Sequence, residues 1–86
     1  MNQQTATLKV IARAPFHIYY EGPARSVSAA NQVGQFDVLP GHADFFSIMT
    51  AGEVVIEAEG NNSVNFQIAN GIITVRDDEV MLFVNM

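Results

Sequence analysis

Glu53-Val54-Val55-Ile56-Glu57-Ala58-Glu59-Gly60-Asn61-Asn62-Ser63-Val64-Asn65-Phe66-Gln67-Ile68 reads as two strands about one turn. Val54, Ile56 and Ala58 fall on one side of an extended chain, and Glu53, Glu57 and Glu59 on the other. That period of two belongs to a strand, whose successive side chains point to opposite faces. Gly60-Asn61-Asn62-Ser63 makes the turn, because Gly and Asn tolerate positive φ. Val64, Phe66 and Ile68 then return to the apolar side, with Asn65 and Gln67 opposite.

The same pattern extends in both directions. Upstream, Thr5 to Arg13 alternates, with Ala6, Leu8, Val10 and Ala12 inward. Pro15 ends that strand or marks an edge. Phe16, Ile18 and Tyr20 share one face of the next strand, and Gly22-Pro23 is expected to break it. Arg25 to Ala30 forms a further short strand, Asn31 to Gly34 a loop, and Gln35 to Leu39 a strand stopped by Pro40-Gly41. Ala43 to Met49 is a strand and Thr50-Ala51-Gly52 a turn. Downstream come a turn or bulge at Asn70-Gly71, a strand over Ile72 to Arg76, a turn at Asp77-Asp78 and a last strand over Glu79 to Val84. That strand is apolar on both faces, so it is expected to be central or covered. Val and Ile number 17 against 3 Leu, and stiff branched side chains favour pleated strands over helices. The expectation is an all-β fold: a flattened antiparallel β-sandwich or barrel of about 8–10 short strands, in one domain over residues 1–86.

Composition narrows the function. The 86 residues contain no Cys, which removes disulfides, thiolate metal sites and Cys nucleophiles. Four cations against nine acids give a net charge of −5, so neither nucleic acid nor an anionic membrane surface is an expected partner. No stretch is long and apolar enough for a membrane span, and Met1 to Thr5 lacks the pattern of a signal peptide. His17 and His42 are the two histidines, with no carboxylate at a metal-binding spacing. Glu53, Glu57 and Glu59 read as a solvated strand face that also discourages edge pairing. Ser26, Ser28, Ser47 and Ser63 lack a nucleophile-elbow context. Asn61-Asn62-Ser63 is a glycosylation sequon without a secretory signal. No catalytic residue, metal, cofactor or small-molecule substrate is expected.

Gly34-Gln35-Phe36-Asp37-Val38-Leu39-Pro40-Gly41-His42-Ala43 is the most informative segment. Physically it is a short strand ended by Pro-Gly, and Pro followed by Gly suits a type II turn. As a string it resembles the signature of the epsilon subunit of F-type ATP synthases, at Gly34, Phe36, Val38, Leu39, Pro40, Gly41, His42 and Ala43. Leu8-Lys9-Val10 resembles that family's opening strand, Tyr20-Glu21-Gly22 its aromatic-x-Gly corner, and Gly52 to Ile56 its Pro-Gly-apolar strand. Phe66 to Val75 resembles the following strand pair. Asp44 and Ala51 stand where the family usually has Pro, Asn70 replaces a Gly, and Gln35 occupies a position often acidic.

The resemblance implies an N-terminal β-sandwich domain and a non-catalytic place in the central stalk. It implies contact with the gamma subunit and the c-ring of a proton- or sodium-translocating synthase, peripheral to the membrane, on the cytoplasmic face in a bacterium. Asn31, Gln32, Gly34, Gln35, Pro40, Gly41, His42 and Asp44 are then the candidate interface with gamma and the c-ring. Asp37, Asp44 and the general negative charge suit the Arg of the family's ring loops. The helical hairpin that usually follows in the family, with its inhibitory role, has no counterpart in these residues. Read without the resemblance, the alternative is an unrelated β-sandwich module for carbohydrate or peptide, which the absence of Trp disfavours.

Overall fold

The computed structural model describes residues 7–85. Thr5 and Ala6, the expected start of the first strand, lie outside the described residues, as do the rest of the opening segment and Met86. Eight strands follow in order: β1 (Leu8–Ala14), β2 (His17–Asn31), β3 (Gly34–Val38), β4 (Phe45–Met49), β5 (Gly52–Ala58), β6 (Ser63–Ile68), β7 (Gly71–Arg76) and β8 (Glu79–Val84). No helix occurs among the described residues. The expected all-β class and the short strands of the second half are as read from the alternation.

The strands pair in the order β4-β7-β8-β1-β2-β5-β6, with β3 also on β2. One buried face runs through the whole path. Leu8, Val10 and Ala12 of β1, Val54 and Ile56 of β5, Ile73 and Val75 of β7, and Val80, Leu82 and Val84 of β8 are all buried in one cluster. Ala24, Val27 and Ala29 of β2, Val38, Met49 and Ile68 complete it, so every strand contributes. A sheet whose single apolar face makes one cluster must fold over on itself, which gives the flattened sandwich. No polar or charged side chain is buried among the described residues. Each fully buried Val, Leu or Ile contributes about 1.5–3 kcal/mol relative to an exposed one.

Two features depart from the sequence reading. First, Gly22-Pro23 does not break the chain into two strands: β2 runs unbroken for 15 residues. Its first part pairs with β1 from His17 to Ala24, and its last part pairs with β5 and β3. Along His17 to Pro23 there is a strand on one side of β2 and none on the other, and proline is tolerated on such an edge. The Tyr20 hydroxyl folds back to donate to the Pro23 carbonyl, which braces the corner. Register shifts at Ala12/Arg13 and at Ala24/Ser26 bend the strand as it passes between layers. Second, the sheet is not wholly antiparallel. β8 lies between β7 and β1, antiparallel to the first and parallel to the second. Almost the whole chain separates β1 from β8, and a parallel pair needs such a long connection. The expectation that the last strand is central is met by this placement.

Candidate functional site

Alternation fixes what the sandwich shows outside. Residues opposite each other across paired strands share a face. On the layer β4-β7-β8-β1, one outward row reads Ile48, Ile72, Phe83, Arg13 and the next reads Phe46, Thr74, Met81, Ile11. Phe46 is 65% exposed, Ile48 66% and Met81 38%. This outer face is therefore an apolar band with a cation at its β1 side. The outer face of the other layer is different in kind. Apart from Val55, it carries polar and acidic residues: Ser26 and Ser28 of β2, Asp37 of β3, Glu53 and Glu57 of β5, and Asn65 and Gln67 of β6. Ser28 Oγ donates to Asp37 Oδ1 (2.7 Å) and Asn65 Nδ2 donates to Glu53 Oε2 (3.4 Å). The molecule thus has one apolar exterior and one acidic, hydrogen-bonded exterior.

The β2–β3 hairpin sits beside the apolar face. Asn31 Oδ1 accepts from the amides of Val33 (2.9 Å) and Gly34 (3.2 Å), so the side chain shapes its own turn. Asn31 Nδ2 donates to Ser47 Oγ (3.0 Å), and the Thr50 amide donates to the Ala30 carbonyl (3.1 Å). These bonds clamp the hairpin to β4. Val33 is left 96% exposed at the tip. Together with Phe46, Ile48, Asn31 and Gln32 it lines an open hollow of about 430 Å³.

The β3–β4 loop forms the second projecting element. The His42 amide donates to the Leu39 carbonyl (3.0 Å), with Pro40 and Gly41 between them and φ at +86° for Gly41. That is the expected type II turn, whose third residue needs positive φ. The His42 ring is occupied locally. Its Nδ1 lies at hydrogen-bond distance from the Ala43 carbonyl (2.7 Å), and it meets the Phe45 ring edge-on at 5.5 Å. Among the described residues no three His, Asp or Glu side chains converge as metal ligands would. Asp44 is exposed and lines a second hollow with Phe46, Arg76, Glu79 and Met81.

The structure thus brings Asn31 and Gln32 together at one hollow and puts Asp44 at another, with Phe46 shared between the two. Gly34 and Gln35 open β3 on the far side of the hairpin tip, and Pro40, Gly41 and His42 form the separate turn. Val33 lies inside the candidate loop, whereas sequence reasoning left Phe46, Ile48 and Met81 out of the candidate set. The signal for Phe46, Ile48 and Met81 was present in β4 and β8, where consecutive apolar residues occupy both faces.

Comparison with known proteins bears on this surface. The family described as the ATP synthase delta/epsilon chain beta-sandwich domain matches residues 7–86. The ATP synthase epsilon chain of Micrococcus luteus is 32% identical over 63 residues, which cover 73% of this chain and 69% of that one. The epsilon chain of Chlorobaculum tepidum is 30% identical over 76 residues, covering 88% of this chain and 84% of that one. For the epsilon chain of Sulfurimonas denitrificans the figures are 30% over 77 residues, 90% and 59%. The extent to which this chain spans its relatives varies, from 84% of the Chlorobaculum tepidum chain to 41% of the Trichlorobacter lovleyi epsilon chain. Among solved structures, a chain of the Euglena gracilis mitochondrial ATP synthase (OSCP/F1/c-ring) superposes with a TM-score of 0.86 at 19% identity, over 94% of this chain and 52% of that one. A chain of the Tetrahymena thermophila mitochondrial ATP synthase central stalk and c-ring superposes with a TM-score of 0.75 at 16% identity, over 98% and 66%. At those identities the superpositions speak for the fold, and the sequence matches for descent. The superposed fold and the sequence matches agree: the chain belongs to the delta/epsilon chain beta-sandwich family of ATP synthases.

Proposed function

We propose that this chain is the epsilon-type subunit of an F-type ATP synthase rotor, a non-catalytic link between the gamma subunit and the c-ring. The observation that carries the reading is the contrast between its two exteriors. A contiguous exposed apolar band on a small protein marks a surface meant to be covered. The band of Phe46, Ile48, Ile72, Met81 and Phe83 is rigid, because each residue stands on a strand packed from behind by the core. Gamma covers this band in the proposal, and the β2–β3 hairpin and the Leu39–Asp44 loop extend the contact to gamma and the c-ring. Family membership supports the reading, as do the assemblies in which the superposed chains were solved. The subunit works peripherally to the membrane, on the cytoplasmic face in a bacterium, and helps couple ring rotation to ATP synthesis. The proposal gives these 86 residues no inhibitory role.

Calorimetric titration of the chain into gamma from the same organism tests it. Binding at micromolar concentration or tighter is expected. Phe46→Asp combined with Ile48→Asp should weaken it at least about tenfold, as loss of central apolar anchors does, while circular dichroism stays that of the wild type. Absence of binding by the wild-type chain would overturn the proposal.

A further inference from the structure

We propose that Asp78 is a positioning residue for partner binding: its carboxylate holds the Leu39–His42 turn in the orientation the rotor contacts. The inference rests on the function proposed above, which places that turn at the interface.

Asp78 occupies the β7–β8 turn, where Asp77 and Asp78 have φ of +51° and +62°. Two consecutive left-handed residues make the tight hairpin turn that matches strand twist. Asp78 is fixed there from both sides. Its carbonyl accepts from the Lys9 amide (2.8 Å) at the start of β1. Its Oδ1 accepts from the Gly41 amide (2.8 Å), 37 residues earlier in the chain. The turn's own bond uses the His42 amide and the Leu39 carbonyl, so the Gly41 amide is free for Asp78. A carboxylate acceptor makes this bond stronger than a neutral one. Between the end of β3 at Val38 and the start of β4 at Phe45 the chain has no strand partner. The His42 ring rests on Phe45 at the β4 end, and Asp78 ties the Gly41 backbone to a second rigid element, the β7–β8 turn.

The test separates the turn from the fold. Asp78→Gly removes the carboxylate and suits a φ of +62°, so the hairpin turn keeps its shape. Asp78→Asn keeps an oxygen acceptor and also accepts left-handed φ. For each, amide exchange at Gly41 is followed by NMR, and affinity is measured for a rotor assembled from gamma and the c-ring of the same organism. In Asp78→Gly the Gly41 amide should exchange about tenfold faster or more, and rotor affinity should fall about tenfold, the size expected for one charge-assisted bond. Melting should remain close to wild type, and Asp78→Asn, a neutral acceptor, should restore both readouts in part. Unchanged exchange at Gly41 would overturn the inference, and so would faster exchange with unchanged affinity. Asp78→Ala is a second truncation and must give the same amide change. If both truncations unfold while Asp78→Asn folds, the residue serves the fold and the inference fails. If the wild-type chain does not bind the rotor, the proposed function fails instead, and the Gly41 amide still reports whether Asp78 holds the turn.

Discussion

A methyl group added at Gly71 would sit 2.7 Å from the Phe83 carbonyl oxygen and 2.8 Å from Met49 Cε. Backbone cannot yield there as a side-chain end can, so Gly71→Ala should lower stability by about 1–3 kcal/mol, the usual range for overpacking. Urea unfolding checks this, and a midpoint equal to wild type would refute it. Gly41 is the contrasting case. Nothing lies within 4 Å of a Cβ there, but φ is +86°. Gly41→Val should therefore cost about 1 kcal/mol or more through backbone strain alone, read as a lower melting temperature. The two glycines differed in legibility for the same reason. The Gly41 requirement is local, set by Pro40 before it and visible in four consecutive residues. The Gly71 requirement comes from β4 and β8 closing on it, and nothing adjacent to Asn70-Gly71 in sequence announces those neighbours.

Strand β2 is where local signals misled. Gly22 and Pro23 together are strong punctuation, yet the strand continues unbroken through them. What decides the matter is the position of Pro23 in the sheet, on a stretch with β1 alone as partner. Pro23→Ala should then leave stability within about 0.5 kcal/mol, as for surface positions without a special role. Loss of well over 1 kcal/mol in denaturant titration would mean that the ring itself holds the corner. Strand β4 gives the parallel lesson for the site. Phe45 and Phe46 are equally apolar, and alternation alone says that they face opposite ways. It does not say which faces the core until β7 is placed beside them. That is why the loops were legible as candidates and the exposed Phe46 and Ile48 were not.

At the scale of the molecule, eight strands wrap one aliphatic interior and present two unlike exteriors. The interior was legible, because inward positions repeat every second residue in β1, β5, β7 and β8. The double apolarity of β8 was legible too, and it reflects a core on one side and the apolar outer band on the other. Its parallel pairing with β1 was not, since that contact joins the two ends of the chain. The apolar exterior also tells the related and unrelated readings apart. An independent carbohydrate-binding sandwich would display aromatic platforms with polar tips, whereas the band here is aliphatic and phenyl, and the family match removes that alternative.

The continuity of β2 has a mechanical meaning. Sheets that touch only through side chains resist sliding with weak, easily exchanged contacts. Here a single backbone is stitched into both layers, paired with β1 in one and with β5 and β3 in the other. A sideways push on the apolar exterior reaches the acidic exterior as tension in covalent bonds and in rows of main-chain hydrogen bonds loaded along their strands. The sandwich therefore resists shear as one block, with the kinked strand serving as its tie bar.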